Sequence, residues 1–224
     1  CYELANLDVS GFNTANVTNM VGMFGFCYGL TSLDVSGFDT SKVTAMRSMF
    51  EGCNSLISLN VSGFDTLKVT DMSVMFGNCS KLKTLNMSNF NTASVTNMSH
   101  MFFGCSALSV LNLTNFNTSA VTDMSYMFDG CASLATLNVS SFNTSNVTNM
   151  TQMFFSCTRF TTLDLSSFDT AKVTTMKNMF SYCPNLNTFK VGNKFSFKGT
   201  SYQFPGTKWY GTDGTEYSVT NGTV

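Results

Sequence analysis

Eight cysteines, Cys1, Cys27, Cys53, Cys79, Cys105, Cys131, Cys157 and Cys183, each stand 26 residues after the last. A fixed period of this size permits few folds. One unit cannot bury its apolar residues alone, whereas stacked units of equal length build one continuous core. Other columns keep the step: Phe12 recurs as Phe38 and on to Phe168, Val17 as Val43 and on to Val173, and Met23-Phe24 as Met49-Phe50 and on to Met179-Phe180. The unit reads C-x-x-L-x-x-L-[DN]-[VLM]-[ST]-x-F-[ND]-T-x-x-V-T-x-M-x-x-M-F-x-x, without insertion or deletion from Cys1 to Tyr182. If adjacent coils pair as parallel strands, the rise is about 4.8 Å per unit and seven units make a rod roughly 35 Å long. Cys1 lies on this lattice, so the chain opens in mid-repeat and reads as a piece of a longer protein.

Within residues 27–52, Leu33 and Val35 alternate with Ser32, Asp34 and Ser36, the period-two pattern of a strand with one buried face. Gly37 follows, in a column of Gly, Asn and Ser that suggests a turn at positive φ. Phe38 plugs the core, and Asp39-Thr40 suits a turn or cap. The segment Val43-Thr44-Ala45-Met46 fits either a second short strand or helical spacing. Met46, Met49, Phe50 and Cys53 lie at i, i+3, i+4 and i+7, a helical stripe that Gly52 would stop. The methionine columns are core, since methionine fills irregular gaps.

Charged residues are only 11%, against a typical quarter, and the polar surface is Ser, Thr and Asn instead. The net charge of −1 suggests neither nucleic acid nor an anionic membrane as partner. No apolar run is long enough to span a bilayer, so no direct membrane insertion is expected. A surface of this kind fits an extracellular setting. The cysteines form a ladder of buried free thiols, because stacked side chains with parallel Cα–Cβ vectors suit a disulfide torsion poorly. With no C-x-x-C pair and a single histidine, His100, neither a metal site nor a Ser-His-Asp triad can be assembled. His100 falls in a variable column and reads as a surface residue. The acidic residues show no pairing suited to acid/base work. No catalytic residue and no cofactor are expected.

The segments LTSLDVSGFDTSKVTAMRSMFEGC and LATLNVSSFNTSNVTNMTQMFFSC resemble the repeats of BspA-type leucine-rich-repeat surface proteins, over residues 1 to about 191. The string V-T-x-M-x-x-M-F-x-x-C carries the likeness. The resemblance implies a leucine-rich-repeat-like solenoid with a parallel sheet on one face; with the helical stripe read above, the expected class is α/β, with short helical segments on another face. It implies a secreted or cell-surface protein without catalytic residues, several relatives being regarded as adhesins. The division expected is a solenoid over residues 1–191, seven repeats and a partial eighth, then a capping segment over 192–224. In the latter, KWYGTDGTEYS reads as a β-hairpin around Thr212-Asp213-Gly214.

The outward strand positions stack into ranks. The expected ligand face centres on Asp34, Asn60, Asn86, Asn112 and Asn138, between ranks of Ser and Thr, and would meet a protein or glycan on a host or neighbouring cell surface. Equally, these small polar residues could merely solvate the sheet. Two threonine ranks, Thr14 to Thr170 and Thr18 to Thr174, raise ice binding as an alternative, set against structural roles in a turn and a helix N-cap. A filament subunit stacking end to end is the third class.

Overall fold

The structure, a computed structural model, describes residues 3–201, 203, 208–210 and 216–218. Equal-length units lie over one another as successive coils of a solenoid, and bonds between residues 25 or 26 apart recur from coil to coil.

The strand face is shorter than expected. Strand β1 (Ser58–Asn60) pairs in parallel with β2 (Thr84–Asn86), Asn60 opposite Asn86. Strand β3 (Thr162–Leu165) pairs in parallel with β4 (Thr188–Val191). The face therefore holds two separate two-stranded pieces. One cause of the shortness is local: at the end of β1 the Ser62 N–H donates to Asn60 Oδ1 at 3.1 Å, so it is unavailable to a ladder.

The unbroken ladder runs through Val43-Thr44-Ala45-Met46, the segment that fits either a short strand or helical spacing, and continues into the stretch expected to be helical. Among the described residues there is no helix. The Thr44 N–H donates to the Thr18 carbonyl, and the same bond repeats up to Thr174 and Thr148. Parallel bridges join Asn19, Ala45, Asp71, Asn97, Asp123, Asn149 and Thr175 in sequence. Beyond them, donors alternate. Met46, Ser48, Phe50 and Gly52 give their N–H groups to the next coil, while Met49, Glu51 and Cys53 close turns onto Met46, Ser48 and Phe50. Ser48 (φ 55°) and Gly52 (φ 71°) are left-handed, and their equivalents in the neighbouring coils are too. A left-handed residue every four positions prevents the i→i−4 bonds of an α-helix. The i, i+3, i+4, i+7 stripe thus points inward from linked β-turns.

The core is built of ranks. Phe24, Phe50, Phe76, Phe102, Phe128, Phe154 and Phe180 stack with centroids 5.6 to 6.1 Å apart and planes within 14° of parallel. Separations above the roughly 4.8 Å coil spacing mean offset stacking, the arrangement aromatic quadrupoles favour. Cys27 through Cys183 are free and buried; Cys1 lies outside the described residues. From Cys53 on, each thiol donates to a phenylalanine carbonyl 29 residues earlier, at 3.0 to 3.3 Å. Burial pushes the Cys53 thiol up to about 12 and Cys183 to about 11. The thiols behave as small hydrophobes with a weak donor.

Threonine supplies a second rank inside. Thr40, Thr66, Thr92, Thr118, Thr144 and Thr170 are at most 2% exposed. Thr118 is typical: its Oγ1 donates to the Asn143 carbonyl and accepts the Asn143 N–H, both at 2.9 Å. One hydroxyl thus satisfies both backbone groups of a residue in the next coil.

After β4, the carbonyls of Lys194, Lys198 and Ser201 accept the N–H groups of Thr170, Met176 and Asn178. Phe195 and Phe197 pack against the core beside Phe189. Strands β5 (Lys208–Tyr210) and β6 (Glu216–Ser218) form the expected antiparallel hairpin, Trp209 opposite Tyr217. Its expected tip at Thr212-Asp213-Gly214 lies outside the described residues.

Candidate binding face

Asp34, Asn60, Asn86, Asn112 and Asn138 are all exposed and share one face, each flanked by inward residues such as Leu59 and Val61. The structure gives every one of them a local task. Its Oδ1 accepts the backbone N–H two residues on: Ser36 to Asp34, Ser62 to Asn60, Ser88 to Asn86, Thr114 to Asn112, Ser140 to Asn138, at 2.9 to 3.2 Å. These are Asx-turns, which Asp and Asn make equally well. At Asp34 the Ser36 N–H, then its hydroxyl, holds the carboxyl below its ordinary range. Only the second oxygen of Asp34 and the Nδ2 groups of the asparagines remain for a ligand.

The same bond recurs in two further Asp/Asn ranks, for example Leu67 to Asp65 and Ser125 to Asp123. The interchange of Asp with Asn in three columns was the available signal for a shared Oδ1 function. The Gly37 column is corrected too. Gly11, Gly37, Gly63, Asn89 and Asn115 are absent from the left-handed region. Small polar residues suit that column because the side chain reaches the preceding coil, as when Asn115 Nδ2 donates to the Phe90 carbonyl at 2.9 Å.

The two threonine ranks differ. The rank of Thr14 is buried and meets no solvent-borne surface. The rank of Thr18 is exposed, and its hydroxyls bond the carbonyl one coil back, as Thr122 Oγ1 does to Thr96 at 3.2 Å; it caps no helix.

His100 is half-buried and no free surface residue. Its ring stacks on Tyr126, centroids 4.3 Å apart and planes at 11°. Burial pushes its pKa below the ordinary value. Asp129 is buried, and burial pushes its carboxyl up to about 6. Among the described residues no group of three or more His, Cys, Asp or Glu side chains could hold a metal ion, and no helix is long and apolar enough to cross a membrane.

Several solved structures are similar to this chain, three of them as follows. A leucine-rich repeat protein of T. pallidum, TpLRR, is 19% identical, with a TM-score of 0.42 over 71% of this chain and 66% of that one. A leucine-rich repeat protein from Eubacterium ventriosum is 20% identical, with a TM-score of 0.43 over 85% and 44%. The functional domain of InlJ from Listeria monocytogenes, described as including a cysteine ladder, is 19% identical, with a TM-score of 0.30 over 86% and 47%. The chain spans less than two thirds of each of these proteins. No curated protein matches it. A family model described as "Mycoplasma protein of unknown function, DUF285" matches residues 2–83, 50–136 and 105–204. With these overlapping matches covering most of its length, the chain belongs to the DUF285 family.

Proposed function

We propose that the chain is a non-enzymatic adhesion module of the BspA type, secreted or displayed on a cell surface. Its sheet face, centred on Asp34, Asn60, Asn86, Asn112 and Asn138, binds a protein or glycan on a host or neighbouring cell. One observation carries the reading. The asparagine Oδ1 atoms are consumed by Asx-turns, while their Nδ2 groups have no partner among the described residues and stand in an exposed, in-register rank. A row of identical donors at coil spacing suits an extended ligand, and a stacked solenoid holds such a row rigid.

The combined variant Asn60→Asp, Asn86→Asp and Asn112→Asp tests it. Aspartate preserves the Asx-turn, as Asp34 and Asp164 do in the same column. It removes the donors and adds negative charge. Adhesion of the purified chain to mucin-coated surfaces and epithelial monolayers should fall at least tenfold with the circular dichroism unchanged. Undiminished adhesion of the variant, or none by the wild type, refutes the reading. The end-to-end filament is less favoured, because residues 194–201 already occupy donors that coil 157–182 would hand to another copy.

A further inference from the structure

One turn edge of the coils holds side chains that its backbone discourages. The column of Gly22 is left-handed throughout, with φ of 55° at Ser48, 59° at Val74, 57° at His100, 58° at Tyr126 and 53° at Gln152. An L-residue there costs roughly 1–2 kcal/mol relative to the right-handed region, and glycine would relieve it. The other left-handed column is glycine at Gly52, Gly104 and Gly130 but carries Phe26, Asn78, Ser156 and Tyr182 in the remaining coils, so large side chains there stand against the same preference. In the middle coils, then, the first column carries large side chains against a backbone preference. Strain held in this way points to a role for the side chain itself.

Three residues further along lie Phe103, Asp129 and Phe155. Phe103 meets His100 edge-on at 5.7 Å, and Phe155 meets Tyr182 edge-on at 5.1 Å. Tyr182 is 71% exposed. The Tyr126 hydroxyl, the Gln152 amide and the His100 ring nitrogens have no hydrogen-bond partner among the described residues. From Thr84 to Thr158 there is no Lys or Arg, and the acids are Asp123 and Asp129 alone. From His100 to Gln152 the strip therefore combines ring surface, unspent hydroxyl and amide groups and no lysine or arginine in its own coils, Lys177 standing only in the coil of Tyr182.

We infer that this edge, from His100 through Tyr126 and Gln152 to Tyr182, binds an uncharged oligosaccharide lying along the solenoid axis. Aromatic rings pack against the C–H faces of sugar rings, and a few oriented polar groups select hydroxyls. The coils of His100 and Tyr126 supply no lysine or arginine to favour a sialylated or sulfated chain, and Lys177 by itself is no cluster. The inference rests on the surface-binding reading above, but assigns the glycan to the turn edge and not to the sheet face.

The whole chain is screened on a printed array of neutral, sialylated and sulfated oligosaccharides, and the strongest neutral hit is titrated calorimetrically. The variants are Tyr182→Ala, which empties only an exposed site, and Gln152→Gly, which Gly22 shows the backbone accepts. Neutral glycans should bind, with each variant at least tenfold weaker and the triple Asn→Asp variant unchanged. Binding of anionic glycans alone, no glycan binding, or neutral binding that neither edge variant weakens overturns the inference. Loss in the triple variant alone overturns it while leaving the sheet-face reading intact. Loss of cell adhesion in the triple variant with glycan binding retained supports both.

Discussion

Thr118→Val isolates what the buried threonine rank contributes. Valine nearly matches threonine in shape, so the surrounding contacts persist and the hydroxyl alone is lost. That hydroxyl serves two groups, the Asn143 carbonyl and the Asn143 N–H, at 2.9 Å each. Thr118 is fully buried, so no water replaces the hydroxyl from its own side. A buried backbone group left unsatisfied costs about 1–3 kcal/mol. Two such groups, with Asn143 itself exposed and able to recruit some water, bring the loss to about 2–4 kcal/mol. Thr122→Val is the control, since its exposed hydroxyl makes one bond, to the Thr96 carbonyl at 3.2 Å. Water substitutes there, and the change should stay within about 0.5 kcal/mol. Urea denaturation followed by circular dichroism reads the difference in midpoint. Amide hydrogen exchange at Asn143 reads the local opening, which matters because solenoid unfolding is not bound to be all-or-none. If Thr118→Val is as mild as Thr122→Val, or exchange at Asn143 does not accelerate, the hydroxyl rank is a consequence of stacking and not a cause of it.

Three further outcomes are expected. The seven cysteines from Cys27 to Cys183 should resist a thiol reagent in the native state, where burial raises the thiols from Cys53 to Cys183, and all eight should react in denaturant; fewer than eight would mean disulfides. Asp129 is raised from 3.8 to about 6 by burial, so its folded form favours the proton and it destabilises the chain increasingly as pH rises from 4 through 6. Asp129→Asn should therefore raise the melting temperature at pH 7.5 and leave it unchanged at pH 3.5, and the reverse order would refute the burial argument. Val74 is β-branched at φ 59°, and Val74→Asn, with Asn178 as precedent in the column at φ 56°, should stabilise by about 0.5–1 kcal/mol in urea titration. A lower midpoint would show that packing of Val74 outweighs its strain.

The period in the cysteines made the stack legible, along with which side chains lie inside it. Leu30, Val43, Met46, Phe50 and Cys53 are all buried as the pattern requires. The backbone route was not legible to the same degree. An i, i+3, i+4, i+7 stripe results from a helix, and equally from linked turns with left-handed residues at Ser48 and Gly52. Within one unit the two are degenerate. What separates them is the acceptor for the Met46, Ser48 and Phe50 N–H groups, and it lies 25 residues away on Asp71, Ser73 and Met75. Sequence periodicity inside a unit does not report a bond made between units.

The same distinction sorts the surface residues. A rank that alternates freely between Asp and Asn, as from Asp34 to Asn60 to Asp164, has been filtered for an oxygen acceptor, and the Asx-turn accounts for that filter in full. Its chemistry toward a ligand is then limited to what the turn leaves over. The column of His100, Tyr126 and Gln152 is the opposite case. The fold there asks only for a residue that tolerates positive φ, and glycine answers that at Gly22. Large and different side chains in such a place are unexplained by the coil that carries them. In a repeat protein, the lattice accounts for the atoms that hold it, as with the Oδ1 acceptors, and leaves others such as the Nδ2 groups over. Departures from it at a cost in backbone strain are where specificity has room to reside.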